Sequence, residues 1–153
     1  MEWDNVKELE SAERVAQSIG INLESFYEKH VNFNKGFNEK SYYEYITEFD
    51  DNPIPFEERF PSRPEIIQVT KLNYSDLKSN LLELPLGNTT GKITYVLKML
   101  AEDVKKMPKD EKDEMIESFK SEKLISVKLF EQLIHLFQVL NYIIMLKKGQ
   151  IKT

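Results

Sequence analysis

Val6, Leu9, Ala12, Val15, Ala16 and Ile19 recur three and four residues apart, the spacing that lines one face of an α-helix. Asp4 stands where a cap is wanted and Gly20 where a left-handed terminating residue is wanted, so the pattern predicts a first helix between them. Asn22 can cap a second helix, with Leu23, Phe26, Tyr27 and His30 along one side, before the Asn/Gly-containing stretch 32–38. The local plan is helix, tight glycine turn, helix.

Tyr42, Tyr43, Tyr45, Ile46 and Phe49 predict a short third helix that stops before Asp51-Asn52-Pro53-Ile54-Pro55, and Pro61 and Pro64 prolong an irregular connection over 50–64. The β-branched run Ile66-Ile67-Gln68-Val69-Thr70 has strand character but no visible partner strand. Asn73 or Ser75 can begin a helix through Leu77, Leu81, Leu82 and Leu84 that ends at Pro85 and Gly87. Ile93, Val96, Leu97, Leu100 and Val104 predict the next, which Pro108 divides from a helix opening on Asp110, Glu111, Asp113 and Glu114. In that helix Met115, Ile116 and Phe119 are expected to face inward, and Ser121 to mark its end.

The last helix, over about 123–148, is apolar on more than one face. Such a helix must be surrounded, either by the rest of its chain or partly by a second copy in a homodimer. The pattern as a whole predicts an all-α fold: one domain over residues 1–153, with six or seven helices packed about the apolar C-terminal helix. The alternative is an α+β fold with a small hairpin that uses 66–70.

Composition narrows this picture. A chain of 153 residues is long enough for one core, burying about 70% of the surface that it exposes when unfolded. With 41% hydrophobic residues, five Gly and six Pro, it has neither a disordered nor a fibrous composition. The absence of Cys excludes disulfides, thiolate metal sites, iron-sulfur clusters and a cysteine nucleophile. The acidic amino terminus lacks the features of a secretory signal, which makes the cytoplasm the simplest address and leaves the sequons at Asn73 and Asn88 without a role. The longest apolar stretch, Leu133 to Leu146, is interrupted by His135, Gln138 and Asn141 and falls short of the ~18 residues of a membrane span, so it is expected as a buried helix.

Charge changes the picture most. Residues 1–58 carry fourteen acidic against five basic side chains, and residues 59–153 carry twelve against sixteen. A surface of this polarity attracts cationic partners at its acidic end. Within that end, Glu44, Glu48, Asp50, Asp51, Glu57 and Glu58 fall in a stretch without a basic residue, and Tyr45, Phe49 and Phe56 lie among them. Carboxylates steer a cationic partner while aromatics supply contact area, so these nine residues form the expected partner-binding site. Their spacing lacks the D-x-[DN]-x-[DN]-G pattern of a calcium loop, and no metal or other cofactor is expected.

Other motifs carry less. Val15 to Asn22 followed by Phe26 resembles part of a DNA-binding helix-turn-helix, in which the 6–31 hairpin would serve a transcriptional regulator. Residues 1–31, however, hold seven acidic side chains against Lys7, Arg14 and Lys29, whereas duplex binding rests on neutralising phosphates. Gly87-Asn88-Thr89-Thr90-Gly91-Lys92 resembles a phosphate loop, yet it has three residues between its glycines and Ile93 in place of the metal-binding hydroxyl, so a capped turn at Thr89 or Thr90 is expected. Glu131 and His135 share a helix face and would be the acid-base or metal pair of a small hydrolase or metal-dependent enzyme, but no third group accompanies them. The expectation is a nonenzymatic acidic protein that masks or regulates a basic protein partner. An immunity- or antitoxin-type inhibitor of a cationic toxin would have this polarity, and neither nucleic acid nor membrane is expected as a partner.

Overall fold

The computed structural model describes residues 5–31, 37–47, 51–81, 89–121 and 128–148. Within them lie eight helices: α1 (Asn5–Ser18), α2 (Leu23–His30), α3 (Glu39–Ile46), α4 (Phe56–Arg59), α5 (Tyr74–Leu81), α6 (Thr89–Lys105), α7 (Lys109–Lys120) and α8 (Lys128–Lys147). The fold is all-α. Among the described residues there is no strand, only isolated bridge positions at Phe37, Ile67 and Gln68, with Phe37 and Ile67 paired antiparallel, so no hairpin of strands forms there. Within the 66–70 run Ile67 is buried and Ile66 is exposed.

The turns follow from their residue types. Gly20 adopts φ +85 and its N–H donates to the Gln17 carbonyl at 3.0 Å, which closes α1 as a left-handed C-terminal turn. Asn22, Asn38 and Asn73 each accept a backbone N–H three residues on, at 2.9, 2.9 and 2.8 Å, and so open α2, α3 and α5. The phosphate-loop likeness is described only in its second half. Residues 87 and 88 lie outside the described residues, and Thr89 to Lys92 form the first turn of α6, with Thr90 fully buried. One helix was not foreseen. Pro55 sets the entry to α4 with its fixed φ, and the Phe60 N–H closes it onto the Phe56 carbonyl at 2.8 Å.

Helix α8 occupies the core. Thirteen of its twenty residues are buried, and α2, α3 and α6 pack against it while α1 packs closely on α6. The burial that an all-round apolar helix demands is thus supplied within one chain, and a second copy is not required for it. By length and composition α8 would also suffice to cross a membrane; 72% of its most apolar stretch is buried within the fold.

The single fully buried amide of this helix organises the chain around it. Asn141 Oδ1 accepts the Leu72 N–H at 3.0 Å and lies 3.0 Å from the Tyr27 hydroxyl, and Asn141 Nδ2 donates to the Phe137 carbonyl at 2.9 Å. Tyr27 donates its hydroxyl to the Leu72 carbonyl. Next along the chain, Lys71 Nζ donates to the terminal α2 carbonyls of Tyr27 and Glu28 at 3.2 and 3.1 Å, while the Tyr74 N–H donates to Glu28 Oε1 at 2.8 Å. Residues 71–74 thereby clasp α2 to α8 through the Lys71 ammonium and the backbone groups of Leu72 and Tyr74.

Two substitutions test these joints. Asn141→Ala leaves the Leu72 N–H without its acceptor in a site closed to water and should lower unfolding free energy by about 1–3 kcal/mol in urea denaturation. Gly20→Ala should cost about 1–2 kcal/mol in the same measurement, because alanine resists φ +85 and its Cβ would stand 3.1 Å from the Ile116 Cδ1 atom.

Candidate binding surface of the third and fourth helices

Tyrosines determine how the acidic segment is held. The Tyr42 hydroxyl donates to the Ile54 carbonyl at 2.6 Å, and the Phe56 N–H donates to the Tyr43 hydroxyl at 2.9 Å, so two side chains of α3 bind the backbone of the 51–56 turn. Beneath that turn Tyr42, Phe56 and Phe60 form a cluster with ring centroids 5.1–5.8 Å apart. Edge and tilted contacts of this kind add to area burial. Helix α3 is in turn fixed to α8: the Tyr45 ring lies 5.1 Å from His135 and 5.7 Å from Tyr142, and its hydroxyl is 3.3 Å from Gln138 Oε1.

This arrangement divides the nine expected site residues. Glu44, Asp51, Glu57 and Glu58 are exposed, as a steering surface requires. Glu48, Phe49 and Asp50 lie outside the described residues. Phe56 is a correction: it is 3% exposed and belongs to the core, because Tyr42 and Phe60 enclose its ring, so it is not a partner anchor. Tyr45 is half-buried and serves mainly to seat α3. Its phenol is held above the usual tyrosine range by burial, reinforced by the Glu44 carboxylate.

An exposed apolar side chain of this segment is one that the hydropathy pattern passed over. Ile54 is 48% exposed between Pro53 and Pro55, and the Tyr42 hydroxyl fixes its carbonyl. The signal was present in sequence, since an isoleucine flanked by two prolines cannot join a helix and has no periodic partner.

The two alternative sites are also placed. Glu131 and His135 open onto a groove of about 490 Å³ between α6 and α8, beside Lys92, Tyr95 and Lys128. His135 is half-buried against Tyr45, and among the described residues no three His, Asp or Glu side chains cluster to hold a metal ion. In the first hairpin the inner side of α2 is buried and its outer side presents Glu24, Glu28 and Lys29. Lys29, which departed from the helix-turn-helix pattern, reaches the Lys120 carbonyl at 3.1 Å.

Comparison with known proteins supplies no further assignment: no family model, curated protein or solved structure matches the chain.

The buried phenols give the fold a defined response to alkali. Burial raises Tyr27, Tyr45, Tyr74 and Tyr142 above the ordinary value. Below about pH 10 these groups are neutral in both states and their contribution to stability is fully present. Above it they ionise in the unfolded chain first, so stability falls as pH rises. The tyrosinate absorbance of these four residues should therefore appear together with loss of helical circular dichroism. Full ionisation of all seven tyrosines with helicity intact would contradict this account.

Proposed function

We propose that the protein is a nonenzymatic binding protein that masks or regulates a basic protein partner through the outer side of α3, the 51–55 turn and α4. The observation that carries this reading is the exposed Ile54 among exposed carboxylates, on a backbone that Tyr42 and Tyr43 hold in place. Glu44, Asp51, Glu57 and Glu58 would raise the rate of encounter with a cationic surface. Ile54 would then enter the desolvated centre of the contact, with little ordering required because the turn is already fixed. Occluding a cationic functional site in this way is how an immunity- or antitoxin-type inhibitor would act.

The same electrostatics disfavour the nucleic-acid reading. The surface that α2 would offer a duplex carries two carboxylates, Glu24 and Glu28, and no phosphate would approach them without an added cation. The α6–α8 groove gives the Glu131–His135 pair access to a ligand, but among the described residues that line it there is no further acidic or histidine group.

Capture from lysate of the source organism tests the partner reading, using wild type, a Glu44→Lys, Asp51→Lys, Glu58→Lys variant, and a Glu102→Lys, Asp103→Lys, Glu117→Lys control with the same change in net charge. Wild type and control should recover one basic protein that the first variant loses and that raised salt releases. Equal recovery by all three forms would sink the proposal.

A further inference from the structure

Beside the acidic turn lies a groove of about 440 Å³, a size ordinary for small-ligand sites, whose floor includes Phe56 and whose rim carries Glu39, Lys40, Glu57, Arg63 and Glu65. The Phe37–Ile67 bridge assembles it. It joins the residue before the Asn38 cap of α3 to the connection that follows Pro64, and Glu39 and Glu65, distant in sequence, line the same groove. Helix α4 adds Glu57. Arg63 completes the rim from a left-handed conformation, φ +49, immediately before Pro64, and its N–H is tied to the Phe60 carbonyl at 2.9 Å. A side chain held in that region, before a proline, is kept there by its surroundings.

The five rim charges are of both signs, yet none of them makes an ion pair or a side-chain hydrogen bond with another described residue. Three carboxylates and two cations are thus presented to one space without neutralising each other across it. The complementary ligand carries cationic groups and a carboxylate together. We infer that this groove binds an arginine-like ligand, whose guanidinium is received by Glu39, Glu57 and Glu65 and whose carboxylate is received by Lys40 and Arg63. Paired, charge-assisted contacts of this kind are the strong ones in recognition. The inference does not rest on the basic-partner reading, with which it shares only Glu57 among its charged residues.

Amide chemical shifts of the full chain, titrated at low ionic strength with L-arginine, agmatine and N-acetyl-L-arginine, test it. L-arginine should produce saturable shifts around residues 38–40, 56–57 and 63–65. Agmatine, which lacks the carboxylate, should bind about tenfold more weakly, the loss expected for one charge-assisted contact. A Lys40→Gln, Arg63→Gln variant should abolish that difference between the two ligands, and Glu57→Gln, Glu65→Gln should weaken both by about tenfold or more.

N-acetyl-L-arginine separates two sources of the same chemistry. Binding as tight as that of arginine assigns the groove to a C-terminal arginine of another chain, and its loss assigns the groove to the free amino acid. Absence of saturable shifts, equal binding of agmatine and arginine by wild type, or unchanged binding by the Glu57→Gln, Glu65→Gln variant would overturn the inference and leave the rim as solvated surface charge. Arginine binding with no captured partner would sink only the partner reading.

Discussion

Enclosure of α8 is the constraint on which the other elements depend. A helix with buried residues at Leu133, Phe137, Val139, Leu140, Tyr142 and Ile144 has apolar side chains on more than one face, so other elements must cover it on several sides. Apolar burial alone would leave the rotation and height of those elements poorly specified. The polar contacts of Asn141 supply that specification, since Tyr27 of α2 and Leu72 of the connection before α5 must both reach one amide. A buried amide with all its partners present favours one arrangement over its neighbours, because any shift would leave a donor or acceptor unmet.

The same logic reaches the surface through aromatic contacts. Tyr142 of α8 touches Tyr42 and Tyr45 of α3, and Tyr42 touches Phe56 and Phe60 on either end of α4. The acidic turn is consequently supported from the core outward, and its backbone hydrogen bonds are made by tyrosine hydroxyls. The residues that would meet a partner are exposed side chains on this support. Phe56 and Tyr45 hold the support in place, although their positions among the carboxylates resemble those of contact residues.

The helices were legible in the chain because their causes are local. Periodicity at Val6 to Ile19 and at Ile93 to Val104, asparagine caps at 22 and 73, the Gly20 turn and the Pro108 break all act within a few residues, and each appears where its chemistry requires. The misreadings share a different cause. The burial of Phe56 depends on Tyr42 of α3, and Ile67 in the 66–70 run pairs with Phe37, thirty residues away. No window of neighbouring residues contains those contacts.

By itself the sequence determined the fold class, most helix boundaries, the polarity of charge and the need to surround the last helix, since these follow from residue type and from spacing along one strand of chain. Tertiary structure alone decided which aromatics face inward, that Ile54 is the exposed apolar residue of the acidic turn, and that Glu39, Glu57, Arg63 and Glu65 border one groove. Packing brings distant residues together and chooses one face of a side chain over another, and that choice is made by volume and hydrogen-bond satisfaction across the whole core.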